Sequence, residues 1–248
     1  MTLEERWRRV MEGKAEAEKG AGREVGSVRL LAVSKFHPAS SIAELFRLGQ
    51  VDFGENYMQE ARAKQAELAD LAIRWHAIGP VQTNKAKEVA GNFSLLHTLG
   101  SEALARAVLR RLPENSVQDA LLQVNIGEEP QKSGVAPSEI FSFVEGLLEG
   151  GLVAENGAQL RLRGLMCLPP NCGEGELARP YFIRLRELRD GLVSRFGIEL
   201  PELSMGMSGS YEPAILCGSD IVRVGSGIFG ARPTVQGIES CQNPSSEL

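Results

Sequence analysis

Cysteine is scarce in this 248-residue chain: Cys167, Cys172, Cys217 and Cys241 are the only four, and none sits in a paired C-x-x-C spacing. That excludes a disulfide framework and gives no outline of a zinc site. A basic excess is also missing, since 27 Lys and Arg stand against 32 Asp and Glu for a net charge of −5. Duplex binding relies on such an excess or on a clustered basic stripe, so nucleic acid is not an expected partner. No apolar run approaches the roughly 20 residues of a membrane helix. Glu4, Glu5, Arg6, Arg8 and Arg9 occupy the place where a secretory signal carries its apolar region, so the expected location is the cytoplasm, away from membranes. The acidic residues show no metal-ligand pattern. What remains is 43% apolar residue content, enough to bury a sizeable core.

The apolar residues come in a regular rhythm. Leu3, Trp7, Val10 and Met11 lie at helical spacing and predict an amphipathic helix over about residues 2–20. Short apolar runs then follow at 28–33, 51–53, 73–78, 95–99, 120–126, 160–168, 202–207 and 221–225. Helical stretches at 40–48, 57–71, 84–90, 101–112, 137–148, 177–196 and 211–217 separate them. Runs such as Leu30-Leu31-Ala32-Val33 are apolar on both faces, as parallel strands covered by helices should be. Strict alternation of this kind implies a parallel sheet, and eight repeats fit a single α/β (β/α)8 TIM barrel. A doubly wound open sheet is the rival. It favours a glycine-rich turn after its first strand, whereas this chain continues Ser34-Lys35-Phe36-His37-Pro38. The expected organisation is one barrel domain over 1–248, with its core at about 27–232 and a flexible tail at 233–248.

Barrels gather functional groups at the carboxyl ends of their strands. Lys35 closes the first strand, where desolvation would lower its pKa and ready it for imine formation; the competing reading is a lysine that snorkels to solvent. Ser204, Gly206, Ser208, Gly225, Ser226 and Gly227 place hydroxyls and unshielded N–H groups after strands seven and eight, where barrels commonly bind phosphate. Plain turn glycines are the alternative at either loop alone. Arg223 alternates with Val222 and Val224 and so faces the barrel interior, toward either a structural acceptor or a ligand lone pair. His76 reads as a core histidine, His37 and His97 suggest no triad, and Lys132-Ser133-Gly134 reads as a solvated loop. Tyr57 is the tyrosine best placed to reach the mouth. An amine, a phosphate cup and an inward arginine together describe a site for a phosphorylated carbonyl compound, and pyridoxal 5′-phosphate (PLP) satisfies all three.

The motifs Leu30-Leu31-Ala32-Val33-Ser34-Lys35, Phe53-Gly54-Glu55-Asn56-Tyr57 and Trp75 through Lys85 resemble the YggS/PROSC family of pyridoxal phosphate homeostasis proteins. Leu162 through Met166, Leu203 through Ser208 and Val222 through Arg232 extend that resemblance in order along the chain. It implies a fold type III barrel like the N-terminal domain of alanine racemase. It also implies PLP held as a Schiff base on Lys35, Arg223 facing the pyridine nitrogen, and Ser208, Gly225 and Ser226 on the phosphate, with Ser204, Met205 and Asn56 nearby. Ser226 stands where the family often has Thr, which keeps the hydroxyl; Ser34 through Pro38 departs from the commoner Lys-Thr-x-Pro pattern.

The resemblance implies a PLP carrier that buffers or delivers its cofactor without turnover. An amino-acid racemase is the alternative, and a Schiff-base aldolase acting on sugar phosphates is a third reading. Racemisation needs acid/base groups on both faces of the substrate carbon, and Lys35 serves only one. Racemases take the opposing tyrosine from a second domain; without one, the cofactor is expected to lie open on one side. PLP-dependent apo-enzymes are expected recipients, and a self-contained barrel suits a monomer.

Overall fold

The computed structural model describes residues 1–170 and 175–231. The expected tail at 233–248, Arg232, Cys172 and Cys241 lie outside the described residues. Eight parallel strands close into a barrel in chain order: β1 (Arg29–Val33), β2 (Asp52–Glu55), β3 (Arg74–Ala77), β4 (Leu95–Leu99), β5 (Val117–Val124), β6 (Gln159–Cys167), β7 (Glu202–Ser204) and β8 (Ile221–Val224). The last strand pairs with the first, Leu31 beside Arg223 and Ala32 beside Val224. This is the (β/α)8 barrel expected from the alternating pattern.

The covering helices are α2 (Ala39–Arg47), α3 (Met58–Glu67), α4 (Ala86–Val89), α5 (Glu102–Leu109), α6 (Ile140–Glu149), α7 (Arg179–Phe196) and α8 (Tyr211–Leu216). Before them α1 (Leu3–Gly20) starts in a reciprocal capping box, with Glu5 N–H donating to Thr2 Oγ1 and Thr2 N–H to Glu5 Oε2. Arg6 of α1 donates to the carbonyls of Ile228 and Phe229, which ties this helix to the end of the barrel. A last one-turn helix, α9 (Ser226–Phe229), was not legible in a run of small residues with poor helix propensity. The expected helix at 137–148 starts later, because the loop after β5 returns to pair Val135 with Val124 before the helix begins. The stretch at 84–90 divides into a 3-10 turn (Thr83–Lys85) and the short α4.

Strand alternation makes two cores. Residues such as Ala32, Phe53, Leu122, Leu165 and Val224 pack outward against the helices. Leu31, Leu95, Leu121, Met166 and Ile221 fill the barrel itself. A bulge on β6 keeps the inward set in phase: Leu162 pairs with Ala120 but Gly164 with Leu121, so Arg163 is the extra residue. Gly164 has φ +153°, and a Cβ there would stand 1.7 Å from the Glu202 carbonyl oxygen. Gly164→Ala should therefore cost at least about 3 kcal/mol of unfolding free energy. Urea denaturation checks this, and an unchanged midpoint would contradict the close approach.

Candidate functional site

A cavity of about 530 Å³ opens at the carboxyl end of the strands, lined by Lys35, His37, Asn56, Ser208, Arg223 and Ser226 among others. Each wall has a local cause. Lys35 lies two residues past the end of β1 and is half-buried. Beneath it Ser34 Oγ donates to Glu55 Oε1 at 2.7 Å, and Lys64 Nζ donates to the Ser34 carbonyl at 2.8 Å. Lys64 also reaches Glu55 and Glu60, both at 2.7 Å, and Glu60 accepts from Phe36 N–H. This cluster clamps the segment on both sides of Lys35. Burial pushes the Glu55 carboxyl above its ordinary range, against the pull of Lys64 and Ser34. Asn56 is placed by a close backbone approach, since a Cβ on Gly79 would lie 2.0 Å from the Asn56 carbonyl oxygen.

Across the cavity, Ser208 Oγ accepts from the backbone N–H groups of Gly225 and Gly227 at 3.3 and 3.2 Å. Two amides converging on one oxygen make a small concave donor set of the kind that holds anionic oxygens. Glycine is required at the turn before it: Gly206 has φ +91°, and a Cβ would sit 2.5 Å from that of Ala214. Ser226 is exposed beside this turn.

Arg223 forms the floor, only 4% exposed. It donates to Ser204 Oγ at 2.6 Å and to the Cys167 carbonyl at 2.7 Å, and no ion pair among the described residues includes it. Burial lowers its pKa to about 10, still cationic near neutrality. Ser204 is fully buried under Arg223, and Met205 belongs to the barrel–helix layer, so neither lines the cavity. The structure thus brings Lys35, Asn56, Ser208, Arg223, Gly225 and Ser226 around one space and sets Ser204 and Met205 behind it. Tyr57 is half-exposed in a neighbouring groove against Phe36. His37 stacks on Phe229 with centroids 4.6 Å apart and joins the wall, although sequence reasoning gave it no place there.

Below the floor, Ser204 Oγ lies 3.0 Å from His97 Nδ1, His97 Nε2 lies 3.0 Å from His76 Nδ1, and His76 Nε2 lies 3.0 Å from Asp52 Oδ1. Arg74 closes the line with two bonds to Asp52 at 2.8 and 2.6 Å. Sequence reasoning missed this line. Its signal was alternation, which places His97 in phase with the inward Leu95, and the register that sets His76 beside Leu95.

Residues 19–233 match the family model described as alanine racemase, N-terminal domain. An alanine racemase from Corynebacterium glutamicum shares the fold at 17% identity and a TM-score of 0.61, over 92% of this chain and 62% of its own. The fold and the match together define the class: a barrel of the alanine racemase N-terminal type. More narrowly, the chain belongs to the family of pyridoxal phosphate homeostasis proteins. A protein of that name from Aquifex aeolicus is 41% identical over 229 residues, 92% of this chain and 97% of the relative. Another from Schizosaccharomyces pombe is 41% identical over 84% of this chain and 86% of its own. PipY of Synechococcus elongatus, solved with PLP bound, is 34% identical with a TM-score of 0.75, covering 87% of this chain and 99% of its own.

The buried line makes the fold sensitive to acid. Burial lowers the pKa of His76 and holds that of His97 well below the ordinary 6.5, while His76 and Arg74 hold Asp52 down at about 2 against the effect of its burial. All three folded values are depressed. The histidine contributions are therefore complete above pH 6.5 and lost as pH falls below it; that of Asp52 is complete above 3.8 and lost as pH falls toward about 2. Each histidine should contribute a slope of up to about 1.4 kcal/mol per pH unit. Unfolding free energies measured from pH 7.5 to 5 should fall less steeply in His97→Gln than in the native chain. Parallel profiles would contradict neutral burial of His97.

Proposed function

We propose that this chain binds PLP, covalently through Lys35, and carries it without turning over a substrate. The observation that supports this best is one cavity combining the Lys35 amine, the buried uncompensated guanidinium of Arg223 and the convergent amides at Ser208. These residues fit the group. Lys35 would hold the aldehyde carbon through its amine, with water as the leaving group; Ser208, Ser226 and the Gly225 and Gly227 amides suit the phosphate; Arg223 N–H suits the lone pair of the pyridine nitrogen. Asn56 lines the same space. Ser204 serves the group only by way of Arg223. Met205 has no contact with the cavity, and its part is packing. When bound, PLP supplies an electrophilic aldehyde and an electron-withdrawing ring.

Absence of turnover is favoured by the protonation pattern. A cationic Arg223 opposes protonation of the ring nitrogen, which weakens the electron sink that racemisation uses. Among the described residues of the cavity wall no tyrosine is present, and His37 comes from the same loop as Lys35. The proposed setting is a cytoplasmic monomer that exchanges PLP with apo-enzymes. No helix among the described residues is long and apolar enough to cross a membrane.

Borohydride reduction of the PLP-loaded protein followed by peptide mass spectrometry should place the adduct on Lys35, and Lys35→Ala should abolish it. Mixing loaded protein with an apo-enzyme should restore activity faster than PLP released by dilution alone. Exchange of amino-acid α-protons in deuterated water at enzymatic rates would instead establish the racemase.

A further inference from the structure

We propose that Ser204, His97, His76 and Asp52 act as a one-directional hydrogen-bond relay that positions Arg223 and keeps it a donor toward the cofactor ring. The proposal rests on the PLP reading above and assigns residues that do not touch PLP. The direction follows from the two ends. Arg223 has only donors, so its 2.6 Å bond makes Ser204 Oγ an acceptor, and the hydroxyl proton goes to the remaining neighbour, His97 Nδ1. His97 then carries its proton on Nε2 and gives it to His76 Nδ1, which leaves the His76 proton on Nε2 for Asp52. The far end is a carboxylate, which only accepts, so donors and acceptors match at every link.

A second proton on either imidazole would set two N–H groups face to face at the 3.0 Å contact between His76 and His97. Burial is what chiefly opposes that proton at both rings, and the charges around the line divide. Arg223 and Arg29 repel it at His97, and Arg29 repels it at His76, where Asp52 and Glu202 attract it. Asp52 is itself fixed by Arg74 at the opposite barrel opening, where Arg29, Asp119, Arg161, Arg163 and Glu202 make a paired charged rim. The guanidinium at the cavity floor is thus referenced, through four links, to an ion pair at the other end of the barrel.

The first test uses the native chain without cofactor. Nitrogen-15 NMR of labelled histidine at pH 7.5 should show His97 and His76 both neutral with the proton on Nε2. A proton on Nδ1 of either ring overturns the relay. The second test measures PLP affinity by equilibrium dialysis and the absorption maximum of bound cofactor in Ser204→Ala, His97→Leu and His97→Gln. Loss of the charge-assisted Arg223–Ser204 bond in Ser204→Ala, and loss of the hydroxyl's acceptor in His97→Leu, should each weaken binding on the order of tenfold and shift the absorption maximum. Gln can accept and donate in the same places and should return both readings toward native. Native affinity and spectrum in Ser204→Ala overturn the proposal, as does equal loss in His97→Leu and His97→Gln. Absence of any Lys35 adduct in the native chain overturns the underlying PLP reading instead, and the histidine tautomers still decide the relay's direction.

Discussion

A buried arginine without a carboxylate partner sets the terms for the rest of the barrel. Taking such a charge out of water costs several kcal/mol even after relaxation. Arg223 is solvated in place of water by one hydroxyl and one strand carbonyl, from Ser204 and Cys167. Each of those acceptors has to be held. The Cys167 carbonyl is held because β6 resumes its phase after the bulge at Arg163. Ser204 is held by His97, whose Nδ1 lies 3.0 Å from its hydroxyl oxygen. The interior therefore departs from a purely aliphatic filling along one line, and Leu31, Leu95, Leu121, Met166 and Ile221 close around that line.

The opposite wall solves a different problem by the same means. The amine proposed to react reversibly would have to keep its place while its own bonds change, which calls for a backbone fixed by other residues. Glu55 and Lys64 do this from the barrel–helix layer, with Glu60 holding the Phe36 N–H one residue past the amine. Phe36 itself adopts φ +66°, a conformation that a non-glycine residue keeps only when its surroundings enforce it. Two buried ionic networks, one behind each of these side chains, leave Lys35 and Arg223 facing one cavity.

The barrel was legible because its signal is additive. Eight apolar runs with intervening amphipathic stretches define topology even when single boundaries shift by a few residues, as at α6. Lys35, Arg223 and the serine and glycine turns were legible because strand ends face the mouth and alternation fixes direction. The networks behind them were not. Their partners lie in different elements, so no local spacing records that His97 meets Ser204 or that Lys64 meets Ser34. Only Glu60 and Lys64, four apart on α3, left a local trace. His37 was passed over because its role depends on stacking against Phe229, a contact between opposite ends of the barrel sequence.

Carriage and catalysis ask different things of one cofactor pocket. A catalyst that stabilises a carbanion gains from a protonated ring nitrogen, and a carboxylate at that position would favour it. In the proposed arrangement that position would be taken by the Arg223 guanidinium, whose pKa, even lowered by burial, remains about 10, so the ring would be held neutral and its electron demand low. The same choice suits release. The proposed hold on PLP is distributed over one reversible covalent bond, a hydroxyl-and-amide anion cup and a single donor to the ring, none of which requires the pocket to close. A site built this way grips through the ends of its ligand and leaves the face between them for exchange.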